Sequence, residues 1–236
     1  MKLGIIGAMD SEVSALQDSL QEVKRFDYAG MRFCAGRLGA LEAVVVKCGM
    51  GKVNAAMCVQ LLKDRFQVTH IINTGVAGSL SPELDIGDIV ISQEAVQHDF
   101  DLSPIGFKKA QIPPFEDPAF PADPGLQEIA YQAAASADLG IRILRGRICS
   151  GDQFIAGSEQ KHRITSVFGG LCAEMEGAAV AQACCANGIP FVVLRAVSDR
   201  ADDSGGISFA EFEAAAAKHC IAIVMKMASL LSKQQS

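Results

Sequence analysis

The chain has 236 residues, half of them hydrophobic, which is enough for one sizeable core, and no shift in composition marks a second domain. Its formal charge is −6 with no run of Lys or Arg, so neither a nucleic-acid backbone nor an anionic membrane surface is an expected partner, and a small molecule is. Met1 to Gly7 is too short and glycine-broken for a secretory signal, no later apolar run reads as long enough to cross a bilayer, and the eight cysteines include no C-x-x-C pair, so we expect a cytoplasmic protein with buried, reduced thiols.

Short β-branched apolar runs alternate with amphipathic, alanine-rich stretches, the pattern of strands buried on both faces and covered by helices. The first strand is expected over Leu3–Ile6, followed by Gly7-Ala8-Met9-Asp10-Ser11-Glu12 and a helix over Ser11–Leu20 with Asp10 or Ser11 as N-cap. Glu12 then falls in a first helical turn, where the helix dipole alone favours a carboxylate. Gly4-x-x-Gly7 lacks the G-x-G-x-x-G spacing of a dinucleotide site.

A second strand, Ala43–Cys48, leads through Gly49-Met50-Gly51-Lys52 into a helix over Val53–Phe66. This turn is not a phosphate loop, because G-x-x-x-x-G-K-[ST] needs a glycine where Val46 stands and a hydroxyl where Val53 stands. His70–Asn73 is the third strand, ending in Thr74-Gly75-Val76-Ala77-Gly78-Ser79, and Asp88–Ser92 is the fourth. His98-Asp99-Phe100-Asp101 has no second histidine cluster to complete a metal centre and reads as a turn network. Six of the eight prolines fall between Pro104 and Pro124, which excludes regular helix or central strand and points to a long ordered surface loop, functional or at an interface.

Then come a helix at Leu126–Leu139, a strand at Ile141–Cys149 ending in Ser150-Gly151-Asp152-Gln153-Phe154-Ile155, and a helix at Glu159–Val167. Glu174-Met175-Glu176 precedes a helix over Gly177–Asn187. If that segment is extended, both carboxylates share one face, which is costly unless something such as a vicinal diol binds beside them. An acidic pair at a helix N-terminus is the plain alternative. Arg195 interrupts the last strand, Phe191–Val197, and its burial requires an anion or dipoles nearby. Asp199 shares its face but lies about 13 Å further along an extended strand, so each needs another partner. A helix over Ser208–Leu231 and a polar tail, 232–236, complete the chain.

These elements predict one α/β domain, residues 1–231, built as a three-layer α/β/α sandwich on a central mixed, largely parallel sheet, with chemistry beyond the carboxyl ends of its strands. Six motifs, in order along essentially the whole chain, resemble those of the 5′-methylthioadenosine/S-adenosylhomocysteine nucleosidases of the nucleoside phosphorylase superfamily. They are Gly4-Ile5-Ile6-Gly7-Ala8-Met9 with Glu12, Gly49-Met50-Gly51-Lys52-Val53, Asn73-Thr74-Gly75-Val76-Ala77-Gly78, Ser150-Gly151-Asp152-Gln153-Phe154-Ile155, Glu174-Met175-Glu176 and Arg195-Ala196-Val197-Ser198-Asp199.

Cleaving a purine N-glycoside builds cationic character on the ribose and negative charge on the base, which calls for an acid, a base and an electrostatic cradle. The resemblance implies that Asp199 protonates or hydrogen-bonds N7 of adenine, Glu12 activates water at the anomeric carbon, Glu176 holds the ribose diol, and Arg195 helps to hold the water and keep Glu12 ionised. It further implies that Phe154 stacks on adenine, the backbone of Ile155 reads its Watson–Crick edge, and Ser198 contributes to binding. Met9, Met50, Met175 and Phe209 would line a 5′-thio pocket, where adaptable side chains suit a thioether. Family members are homodimers, so Ile105 and Pro113 are expected to close the pocket of the neighbouring subunit, with Ile105 standing where an aromatic is often found. No metal or cofactor is implied.

The related phosphorylases place arginine and serine where this chain has Asn73 and Val76, because phosphate needs cationic and donor groups. Glu12 would also repel phosphate, so water is the expected nucleophile. Val76 stands where many members carry serine, which leaves the backbone of Val76 and Ala77 as the expected ligand contacts. The alternatives are a phosphate-dependent purine nucleoside phosphorylase or a nucleosidase preferring 5′-deoxyadenosine or aminofutalosine. A non-catalytic nucleoside sensor would not need an acid and a base together.

Overall fold

In the computed structural model, which describes residues 1–234, the first half of the chain runs β1 (Lys2–Gly7), α1 (Asp10–Asp18), β2 (Gln21–Tyr28), β3 (Met31–Leu38), β4 (Leu41–Lys47), α2 (Lys52–Phe66), β5 (His70–Ser79) and β6 (Ile89–Gln97). It continues through a 3-10 turn (Ser103–Ile105), β7 (Ala119–Pro121), α3 (Pro124–Ala135), β8 (Ile143–Ser150), α4 (Ser158–Phe168), β9 (Cys172–Glu174), α5 (Gly177–Asn187), β10 (Phe191–Asp199) and α6 (Gly205–Lys233).

Alternation along the strands sorts apolar side chains to two faces. Leu3 and Ile5 of β1, Ala43 and Val45 of β4, and Val192 and Leu194 of β10 join one core with α1, α3 and α6. Ile6, Val44, Val46 and Val193 join the opposite core with α2 and α5. A smaller cluster beneath α4 adds Leu80, Cys149 and Ile164. The expected three layers are therefore present.

The strand order is β10-β6-β8-β9-β5-β1-β4-β3-β2, with β7 on β6 and a further pairing of β10 with β5. That further pairing closes β5, β10, β6, β8 and β9 into a ring from which β1, β4, β3 and β2 extend as an open sheet. Parallel pairs join β1 to β4 and β5, β5 to β10, β6 to β8 and β8 to β9, while the remaining pairs are antiparallel.

Several expectations change. The β2–β3 hairpin has no counterpart in the predicted strands, because β2 is charged and largely exposed. Its turn, Ala29-Gly30, has positive φ at both residues, which glycine favours and alanine signals poorly. β5 and β10 extend through Ser79 and Asp199, so residues expected beyond strand ends belong to the strands themselves. The N-cap of α1 is Met9, with Asp10 and Ser11 already inside the helix. The proline-rich stretch is a surface loop except for its 3-10 turn and β7, an edge strand where Pro121 needs to donate no central ladder bond. The expected polar tail begins inside α6, and its residues 235–236 lie outside the described residues. By length and composition α6 is apolar enough to cross a bilayer, contrary to the expectation, but one face of it is buried in the core against β5, β10, α1 and α3.

All eight cysteines are free; seven are buried and Cys185 is half-buried. Burial pushes the thiols of Cys48, Cys149 and Cys220 up to about 12.

Candidate active site

Arg195 is 2 % exposed and lies on the face of β10 that also carries Val193 and Val197. Its register partner on β5 is Gly75, and Asn73 shares that face. Four of the five guanidinium N–H groups are engaged. Nε donates to Glu174 Oε2 at 3.1 Å, Nη2 contacts the same oxygen and donates to Asn73 Oδ1 at 2.7 Å, and Nη1 donates to the Leu194 carbonyl at 3.2 Å. Glu176 Oε2 lies 3.9 Å from Nη2. Burial alone would loosen the Arg195 proton, but the surrounding Glu174, Glu176 and Glu12 hold its pKa above the ordinary value.

Glu174 is the hub of this layer. It accepts from the backbone N–H groups of Glu176 at 3.1 Å and Gly177 at 2.8 Å, and from Ser150 Oγ. The Ser150 hydroxyl oxygen in turn accepts from the Ala178 N–H at 2.7 Å. The anion that Arg195 was expected to require is therefore Glu174, brought beside it by β9.

Glu12 occupies the third position of α1 and caps it. Oε2 accepts from Ala8 N at 2.6 Å and Met9 N at 3.0 Å, while Oε1 accepts from Val76 N at 3.0 Å. Gly75 makes this reach possible, since a Cβ there would lie 2.5 Å from Oε1. Burial pushes the Glu12 pKa up, opposed by the Arg195 charge and the three N–H groups. Arg195 thus acts in the expected direction on Glu12, without a hydrogen bond to it, and burial outweighs it.

Glu176 is the N-cap of α5, and its Oε1 accepts from Gly51 N at 2.7 Å. Burial first, then the negative charges of Glu174 and Glu12, push its carboxyl up to about 7 against the pull of Arg195 and the Gly51 N–H. Asp199 ends β10 after a break in register between Val197 and Asp199, the kind of irregularity that re-aims a side chain. Its Oδ1 accepts from Ala201 N at 2.8 Å and its Oδ2 from Ser198 Oγ at 2.9 Å. Burial raises its pKa as well.

Glu12, Glu176 and Asp199 face one cleft of about 470 Å³, counted out to open solvent. Met9, Met50, Val76, Ala77, Phe154, Met175, Ser198 and Phe209 line it too, and Phe154 meets Phe209 edge to face with ring centroids 5.4 Å apart. Ile155 lines a small adjoining cavity with Phe154 and Asp199. Arg195 is packed behind the cleft wall. Ile105 and Pro113 stand exposed on the proline-rich loop and are not among the lining residues within a single chain. The residue that sequence reasoning left out of the site is Glu174, also in the lining. Its signal was present in Glu174-Met175-Glu176 and in the unpaired charge of Arg195, but it takes β5, paired with both β9 and β10, to join the two.

Burial raises the pKa of Glu12, Glu176 and Asp199 alike, but three backbone donors and the Arg195 charge oppose it at Glu12, so one apolar cleft holds carboxyl groups suited to giving a proton at one end of a ligand and accepting one at the other. A sequence profile of the phosphorylase superfamily matches residues 2–229. The 5′-methylthioadenosine/S-adenosylhomocysteine nucleosidase of Geobacillus kaustophilus (strain HTA426) is 44 % identical over 237 residues, covering 100 % of both chains. Among solved structures, the nucleosidase of the same name from Colwellia psychrerythraea 34H, in complex with adenine, superposes with a TM-score of 0.94 at 38 % identity, covering 97 % of this chain and 95 % of that one. The enzyme from Neisseria meningitidis, in complex with methylthio-immucillin-A, gives a TM-score of 0.93 at 36 % identity, with 96 % and 97 % covered.

Proposed function

The chain belongs to the phosphorylase superfamily and, within it, to the 5′-methylthioadenosine/S-adenosylhomocysteine nucleosidases, and we infer that it hydrolyses the N-glycosidic bond of 5′-thio-substituted adenosines, releasing adenine and the thioribose. The observation that carries this reading is the convergence of Glu12, Glu176 and Asp199 on one cleft, with Phe154 at its edge.

In this reading adenine lies between Phe154 and Asp199. Asp199, whose hold on a proton burial strengthens, gives a proton to N7 as the C–N bond breaks and the bonding electrons pass to the base. The ribose gains cationic character beside Glu12 and Glu176. Water adds to the anomeric carbon and its proton passes to Glu12. The three backbone donors on Glu12 and the Arg195 charge behind it oppose the burial that raises its pKa, and so favour the ionised form that takes the proton. Glu176 holds the ribose hydroxyls, and Met9, Met50, Met175 and Phe209 receive the 5′ substituent.

Water is favoured over phosphate by charge. Three carboxylates, Glu12, Glu174 and Glu176, surround a single guanidinium, four of whose five N–H groups are taken by Glu174, Asn73 and the Leu194 carbonyl. A dianionic phosphate would enter a cluster in which carboxylates outnumber the cation three to one.

Two further elements complete the reading. The chain acts as a homodimer in which Ile105 and Pro113 close the neighbouring cleft, supported by the exposure of Ile105 at 70 % and of Met50, Val53 and Met57 at the cleft rim and start of α2. A cytoplasmic location suits eight unpaired cysteines.

Methylthioadenosine, S-adenosylhomocysteine and 5′-deoxyadenosine, each supplied with and without phosphate, test the reaction. Adenine release independent of phosphate, with free sugar as co-product, is expected; a sugar 1-phosphate would overturn hydrolysis. Asp199→Asn should lower kcat by on the order of 10²–10⁴-fold, the range for removing a general acid. Near wild-type turnover in that variant would remove Asp199 from its role.

A further inference from the structure

Lys52, in Gly49-Met50-Gly51-Lys52, and Asp99, in His98-Asp99-Phe100-Asp101, are given no part in the reaction. They form an ion pair, with Lys52 Nζ 2.6 Å from Asp99 Oδ1, at 18 % and 19 % side-chain exposure. The pair is knotted into its surroundings. Lys52 Nζ also donates to Gln97 Oε1 at 3.1 Å, Asp99 Oδ2 accepts from Asp152 N at 2.9 Å, and Asp152 Oδ1 accepts from Lys52 N at 2.8 Å. Burial would raise the Asp99 pKa, but Lys52 and the Asp152 N–H bring it below its ordinary value.

The geometry has a further consequence at the start of α2. Its N-cap is Gly51, which has no side chain and adopts φ of +94°, so the helix cannot cap itself in the usual way. Instead, carboxylates from other loops take up its first N–H groups: Gly51 N donates to Glu176 at 2.7 Å and Lys52 N to Asp152 at 2.8 Å. Space is closed as well, since a Cβ on Gly51 would lie 3.1 Å from Asp152 Oδ1. The loop after β4, the loop after β8 and the end of β6 are thereby bound into one unit. That unit presents an N–H to Glu176 and, two residues beyond Asp152, carries Phe154.

Resting on the nucleosidase reading of the cleft, we propose that Lys52, Asp99 and Asp152 form a positioning clasp that sets Glu176 and Phe154 at the distance that an adenine nucleoside requires between its ribose hydroxyls and its base. None of the three is a catalytic residue. The clasp acts through the Gly51 N–H on the ribose end and through the chain 152–154 on the base end, so releasing it misplaces both at once. An error of 1 Å in such a site can cost on the order of a hundredfold in rate.

The test compares wild type with Lys52→Met, Asp99→Asn, the double variant and Lys52→Arg, measuring kcat and KM for methylthioadenosine and the thermal midpoint of each. Loss of about tenfold in kcat/KM is expected for either single change, including a rise in KM, because both ends of the ligand are held less well. The double variant should be no worse than the poorer single one, since both cut the same link. Lys52→Arg, which keeps the cation, should recover most of the loss. Unchanged kcat/KM, or additive losses that follow the fall in thermal midpoint with no recovery in Lys52→Arg, would overturn the clasp. If Lys52→Met does not fold, Asp99→Asn against Lys52→Arg decides by the same criteria. Wild-type protein that fails to release adenine without phosphate would refute the underlying reading instead.

Discussion

At Glu176 the proposed hold on the ribose works against the fold. Its carboxyl titrates near 7 in the native state, above its ordinary 4.5, so the folded protein binds the extra proton more tightly than the unfolded chain does. The stability this contributes is complete below about pH 4.5 and is lost as pH rises through 7. Glu176→Gln keeps an acceptor for Gly51 N and removes the charge. Its thermal midpoint should therefore exceed that of wild type at pH 8 by a few degrees, with the gap closing towards pH 5. Adenine release in the same variant should fall by roughly ten- to a hundredfold, the scale of a hydrogen bond to a charged acceptor. Differential scanning at the two pH values and steady-state rates check both halves; equal midpoints at pH 8 would mean that the charge is accommodated without cost. At this scale Arg195 was legible as a charge in an apolar strand, and Glu12, Glu176 and Asp199 through their motifs. Partners such as Lys52 and Asp99, 47 positions apart, were not legible, because neither residue is unusual in its own neighbourhood.

Among the elements, β5 shows how closely backbone and chemistry are matched. Gly75 sits in register with Arg195 and directly under Glu12. An alanine there would bring its Cβ to 2.5 Å from Glu12 Oε1 and 2.9 Å from Cδ, while the strand conformation itself tolerates any residue. Gly75→Ala should thus fold with an unchanged circular dichroism spectrum and lose on the order of a hundredfold in kcat by displacing Glu12. A variant with wild-type kcat would show that the Glu12 position is not critical. Helices were legible to within a few residues because their apolar spacing and flanking glycines are local signals. Strand centres were legible as β-branched runs, but β5 and β10 run on through Gly75, Gly78 and Asp199, residues that read as loop until a neighbouring strand pairs with them. β2 was missed for the opposite reason, since an edge strand facing solvent carries charge instead of an apolar alternation.

For the whole molecule, the layers followed from the alternation of elements, whereas the closure of five strands into a ring did not. Closure depends on the three-residue β9 and on β10 pairing with both β5 and β6, relations between distant segments that no local pattern encodes. Glu174, Arg195 and Asp199 are carried by the strands of that ring, while Met50 and Phe154 reach the cleft from loops. The rim is where a second copy is expected. Sedimentation should give twice the 24.9 kDa of one chain, and Ile105→Asp should weaken association and raise KM together. A fully active monomer would separate the loop from the site. The buried cysteines lend the same architecture an internal alarm. With seven thiols sealed in the interior and only Cys185 partly open, alkylation beyond a single site registers the interior breathing, so the pace of labelling reports how often the protein opens without any added probe.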